Sequence, residues 1–177
     1  MMLDLGASAP DFSLPGTDGG THGLSDFKSA KALCIIFSCN HCPYVQAYEG
    51  RMVELQAKYG AQGAQLVAIN SNDSEGYPED SFENMKKRAL SQGFNFPYLH
   101  DESQAVAKSY GAQRTPHVFL FDAARKLAYL GRIDDNYKDP SAVKARELAD
   151  AIEDILALRP VRVSETFAVG CTIKWKG

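Results

Sequence analysis

The chain has 177 residues, a formal net charge of −3 and 45% hydrophobic residues. That length suits one domain with enough chain for a sizeable core, and the slightly acidic balance gives no reason to expect nucleic acid or an anionic membrane as partner. Four cysteines, Cys34, Cys39, Cys42 and Cys171, are too few for a disulfide scaffold, and no apolar run approaches the roughly 20 residues of a spanning helix.

Met1 to Pro10 has neither the basic start nor the apolar stretch of a signal peptide, so a cytoplasmic location is expected. Residues 9–15 alternate weakly, Gly16 to Gly20 make a turn and Thr21 to Leu24 return, which predicts a short hairpin annexed to the main domain. Leu33-Cys34-Ile35-Ile36-Phe37 is continuously apolar, as in a strand buried on both faces of a parallel sheet. Pro43 fits the first turn of a helix whose apolar face is Val45, Tyr48, Met52, Leu55 and Tyr59, with Gly60 as its cap. Residues 65–70 form a second buried strand. Asp80 and Glu83 suggest a capping box for a helix carrying Phe82, Met85 and Ala89, which Gly93 stops. A short strand over 96–99 and a short helix over 103–110, closed by Gly111, come next. Thr115-Pro116 leads into a strand over 117–121, and residues 126–130 pair back as a hairpin. Asp139 and Pro140 predict the start of a last helix burying Leu148, Ile152, Ile155 and Leu156, with Pro160 beyond it. The expected fold is a single α/β domain over 1–177 with a mixed sheet, an N-terminal hairpin extension and a C-terminal tail at 159–177.

The stretch that carries chemistry is Ser38-Cys39-Asn40-His41-Cys42-Pro43. A C-x-x-C where a buried strand meets a helix is a redox site more often than anything else. The reacting species is the thiolate, and a helix N-terminus lowers a thiol's pKa. On this reading Cys39 attacks and Cys42 resolves. A closed zinc site needs about four ligands. It would have to gather His41, His117 and Cys171 around the pair, so neither metal nor cofactor is expected. Haem attachment requires His after the second cysteine, where Pro43 stands. Cys34 reads as an inert core thiol and His117 as a structural histidine. Arg132, Asp134 and Asp135 read as a loop with ion pairs.

These elements resemble the thioredoxin superfamily, in its redoxin (AhpC/TSA-type, peroxiredoxin-like) branch. The resemblance rests on Gly6-Ala7-Ser8-Ala9-Pro10-Asp11-Phe12-Ser13-Leu14, on Cys39-Asn40-His41-Cys42-Pro43 and on Thr115-Pro116, and it covers roughly residues 5–158. A subgroup of bacterial thioredoxin-like proteins shares the Ser38 to Tyr44 run, Gly131 to Tyr137 and Gly170 to Trp175. The likeness implies a thioredoxin-like fold with Cys39 and Cys42 catalytic. Asn40, His41, Thr115 and a cis Pro116 would support them. His41 would raise the pair's potential by stabilising the thiolate. Two departures from thioredoxin stand out: Ser38 replaces its Trp and Leu33 its buried Asp, so the proton acceptor of that enzyme is absent here or supplied from elsewhere.

The implied function is a thiol–disulfide oxidoreductase with a protein or small-molecule disulfide as substrate and a thiol reductant as partner. A thiol peroxidase acting on peroxides with the same cysteines is the alternative, although Cys39 stands where peroxiredoxins have Thr. A non-catalytic or metal-binding module on the same fold is the third reading. Cys171 is a candidate third redox cysteine in a mobile tail, reaching the site or pairing with a second copy in a homodimer. Otherwise it is a small packed thiol near Trp175.

Overall fold

All residues of Ala32–Ser38 are buried, and this strand (β3) is the spine of the protein. The computed structural model describes residues 1–177. The hairpin strands Ser13–Pro15 (β1) and Thr21–Gly23 (β2) precede β3, and the helix Pro43–Tyr59 (α1) follows it. Next come Ala64–Asn70 (β4), Phe82–Ser91 (α2), Tyr98–His100 (β5) and Ala105–Tyr110 (α3). The last elements are Arg114–Thr115 (β6), His117–Phe121 (β7), Leu127–Gly131 (β8), Glu147–Leu156 (α4) and Cys171–Thr172 (β9).

The main sheet has the order β5-β4-β3-β7-β8. β3, β4 and β5 run parallel, with Cys34 beside Leu66 and Ser38 beside Asn70. β7 is antiparallel to β3, placing His117 beside Phe37, and β8 returns antiparallel to β7. Alternation along β3 feeds two cores. Ala32, Cys34 and Ile36 pack with Tyr48 and Met52 of α1, Met85 of α2, and Leu148 and Ile152 of α4. Leu33, Ile35 and Phe37 point the other way, onto Val106 and Tyr110 of α3 and onto Phe12 and Leu14 of the hairpin. Each fully buried Leu or Ile of β3 contributes about 1.5–3 kcal/mol. Cys34 is 1% exposed within the first core, which pushes its thiol pKa far up. No helix is long and apolar enough to cross a membrane.

The strands, the hairpin and α1 to α3 fall where the sequence pattern puts them, and three end signals differ. Gly60 stays right-handed and carries α1 into a 3-10 turn; the left-handed stop is Gly63, φ 109°. Ser81, not an Asp80–Glu83 box, caps α2, accepting from the Asn84 N–H. Asp80 instead turns inward. Asp139 caps only the 3-10 turn Pro140–Ala142. Beyond that turn Lys144 donates to the Asp135 carboxylate and the Ala145 carbonyl accepts from Asp135, so these backbone groups are unavailable to a helix and α4 begins at Glu147.

Candidate active site

The parallel strands β3 and β4 deliver their C-terminal ends to one edge of the sheet, and β7 begins at that same edge because it runs antiparallel to β3. Cys39 and Asn40 leave β3, Asn70 to Asn72 leave β4, and Thr115-Pro116 enters β7 through a cis peptide bond. A crevice at strand ends is where an open α/β sheet places its ligands.

Cys39 and Cys42 are each 1% exposed and pack with Val45, Tyr44 and Cys171. Cys39 Sγ lies 3.4 Å from Thr115 Oγ1. Cys42 Sγ lies 3.4 Å from the Thr115 carbonyl oxygen and 2.7 Å from Cys171 Sγ. All four cysteines are free thiols. α1 begins only at Pro43, so Cys42 holds the N-cap position and Cys39 stands outside the helix. The two thiols diverge as a result. The Cys39 thiol, then the Cys171 thiol and the Val45 and Cys171 backbone N–H groups, favour the anion at Cys42 and pull its pKa well down against the cost of burial. Cys39 moves up, driven by the neighbouring Cys42 thiol, by desolvation and by the negative charge of Asp80. Cys171 also moves up, through burial and its contact with Cys42.

Asn40 is held on every polar atom. Its N–H donates to Asp80 Oδ1 (2.6 Å), its Nδ2 to the Glu79 carbonyl, and its Oδ1 accepts from the Tyr98 hydroxyl (2.7 Å). Gln46 Nε2 donates to its carbonyl. His41 stacks on Tyr77, and its Nδ1 lies 2.5 Å from Asp80 Oδ2, off the line of a ring N–H hydrogen bond. Asp80 is fully buried and also accepts from the side-chain amides of Asn70 and Asn72. This buried carboxylate reaches the cysteines from the 3-10 turn ahead of α2. Nothing in the sequence distinguishes it from a helix cap.

Cys39 Sγ, a His41 ring nitrogen and an Asp80 oxygen lie within 4.8 Å of one another, the one grouping that could hold a metal ion. It differs from the set expected from the sequence: His117 belongs to the core. Two tetrahedral zinc ligands at about 2.0–2.1 Å would stand about 3.3 Å apart, so the 2.5 Å histidine–aspartate approach is a direct contact. His117 is 3% exposed, its Nδ1 accepts from the Gln113 N–H, and burial lowers its pKa to about 4. Asp134 is tied to Arg51 and Tyr48, and Arg132 to Glu147, so this loop braces α1 and α4.

The tail expected to be mobile is bound down. Its two-residue strand β9 pairs antiparallel with β6, placing Cys171 opposite Thr115. Ile173 is 3% exposed and belongs to the second core.

This combination defines a redoxin-type member of the thioredoxin superfamily, and the chain belongs to the AhpC/TSA family, whose sequence pattern matches residues 5–130. Over nearly its whole length it is similar to two solved structures. One is an uncharacterized conserved protein from Geobacillus kaustophilus, 45% identical with a TM-score of 0.94 over 99% of this chain and 94% of that one. The other is a hypothetical protein from Sinorhizobium meliloti 1021, 37% identical with a TM-score of 0.94 over 100% and 97% of the two chains. Thiol-disulfide oxidoreductase ResA from Geobacillus thermodenitrificans is 29% identical over 123 residues, which are 70% of this chain and 66% of that protein. The chain thus spans just under two thirds of the length of this relative.

Proposed function

We propose that the protein is a thiol–disulfide oxidoreductase that cycles Cys39 and Cys42 between dithiol and disulfide. The observation that carries this reading is the facing of both sulfurs, at 3.4 Å, onto the hydroxyl and the carbonyl of Thr115 ahead of the cis Pro116. The similarity to ResA supports the same chemistry. On this proposal the order of attack is the opposite of the one expected from the sequence. Cys42, at the helix N-cap with its pKa pulled down, is the nucleophile. Cys39, kept protonated beside Asp80, resolves the mixed disulfide.

In the cycle, the Cys42 thiolate attacks one sulfur of a substrate disulfide and expels the other as a thiolate. Cys39 loses its proton to that product and attacks Cys42, which releases the second substrate thiol and closes the Cys39–Cys42 disulfide. A thiol reductant reopens it. Reduction of oxidised glutathione or insulin, driven by dithiothreitol, tests the assignment. Cys42→Ser is expected to lose at least about 10²-fold in rate, and a wild-type rate in that variant refutes the proposal. Hydrogen peroxide as sole oxidant is expected to consume the thiols no faster than it consumes free cysteine.

A further inference from the structure

The tail is held on both sides of its cysteine. Upstream, Leu130 exchanges backbone hydrogen bonds with Ser164 and Thr166, and Thr166 Oγ1 lies 2.7 Å from the Tyr129 hydroxyl. Downstream, Ile173 N donates to the Gln113 carbonyl, and the Lys174 carbonyl accepts from Asp73 N and from Gln104 Nε2. Gln104 adopts φ 65°, and its Oε1 also receives the Lys176 N–H. Between these anchors the chain passes directly over the thiols. A Cβ at Gly170 would stand 2.1 Å from the Thr115 carbonyl oxygen, so only glycine lets the tail lie this close. An extended strand paired with the backbone ahead of Pro116, its cysteine 2.7 Å from Cys42, is the pose of a bound polypeptide substrate.

We propose that residues 170–173 occupy this protein's own substrate groove and that Cys171 is a third redox thiol, exchanging with Cys42; this rests on the Cys39–Cys42 cycle proposed above. The substrates are extended polypeptide segments that pair with Arg114–Thr115 and carry a small residue before their cysteine. A disulfide bond needs about 2.05 Å between sulfurs, so the 2.7 Å pair closes with little movement.

The step starts from the Cys39–Cys42 disulfide left after a substrate disulfide has been reduced to two thiols. Cys171 gives up its proton and attacks Cys42 Sγ. The Cys42–Cys171 bond forms, the Cys39–Cys42 bond breaks, and the leaving electron pair on Cys39 takes up a proton. One disulfide and one thiol stand on each side, so no oxidant is consumed. The exchange moves the disulfide from two cysteines that are 1% exposed to a pair that includes half-buried Cys171, within reach of a dithiol reductant.

Oxidised glutathione applied to the full chain, followed by alkylation, acid digestion and mass spectrometry, tests the exchange. Cys39→Ser is expected to lose two thiols, yield a Cys42–Cys171 cross-linked peptide and retain no glutathione. Stable glutathione on Cys42 with Cys171 free overturns the proposal. Cys171→Ser isolates the underlying reading: it should yield the Cys39–Cys42 disulfide, and failure to do so refutes that cycle whatever the tail does. Occupancy of the groove is tested by Gly170→Ala and, from the other anchor, by Gln104→Ala. Each is expected to speed modification of Cys42 by a bulky aromatic disulfide by about tenfold, the effect of losing one or two hydrogen bonds from the strap. Unchanged rates in both variants overturn the groove assignment.

Discussion

Replacing Asp80 with Asn tests whether the buried carboxylate both holds the site together and restrains Cys39. Asp80 Oδ1 accepts from Asn40 N and Asn70 Nδ2, whereas Oδ2 accepts from Asn72 Nδ2 at 3.0 Å and touches His41. An asparagine can keep an oxygen at the first position but then turns an amide NH₂ toward the NH₂ of Asn72. Flipping Asn72 would not repair this, because its Oδ1 already receives the Lys174 N–H. One charge-assisted hydrogen bond is lost and one buried donor is left unpaired, together about 3 kcal/mol. For a urea slope of about 2 kcal/mol/M this lowers the unfolding midpoint by about 1.5 M. A second readout separates chemistry from stability. The Asp80 charge raises the Cys39 pKa. Its removal should therefore move the upper of the pair's two titration steps, read from the pH dependence of thiol alkylation, to lower pH. A midpoint change below about 0.3 M together with an unmoved upper step would refute the role assigned to Asp80.

Two further outcomes follow from burial and capping. His117 has its pKa lowered from 6.5 to about 4 by burial, so between those pH values the unfolded chain binds a proton that the folded protein excludes. Stability is complete above pH 6.5 and falls by up to about 3 kcal/mol as pH drops to about 4. Urea titrations across this range should show that slope in the wild type and not in His117→Asn. Ser81→Ala should cost about 1 kcal/mol by removing the α2 cap, and Glu83→Ala should cost little; the reverse order in thermal unfolding would restore the capping box.

Periodicity made the scaffold legible. The unbroken apolar run of β3 reads as a strand buried on both faces, and the spacing from Val45 to Tyr59 as one buried face of a helix, which is what the structure has. Cys39, Cys42, Thr115 and Pro116 were readable as candidates because a local motif and a family resemblance mark them. Asp80 was hidden because an acidic residue just before a helix has the same local signature whether it caps the helix or turns inward; the amides of Asn40, Asn70 and Asn72, from two other segments, hold it inward. The tail left no periodic trace either. Its order comes from one or two hydrogen bonds to each of Asn72, Asp73, Gln104, Gln113 and Leu130, scattered over much of the chain. The proposed order of attack rests on one residue: with Pro43 as the first helical position, the N-cap falls on Cys42 rather than Cys39.

The strap over the thiols also sets a competition. A segment tethered at both ends meets its groove at an effective concentration in the millimolar range. A partner present at micromolar concentration starts about a thousandfold behind and must recover roughly 4 kcal/mol through better contacts before it displaces Gly170 and Cys171. Chance encounters with unrelated polypeptides do not reach that threshold, whereas a polypeptide that complements the groove does. The tail therefore works as a built-in affinity filter, and its sequence around Gly170-Cys171-Thr172 is a first template for the partners that pass it.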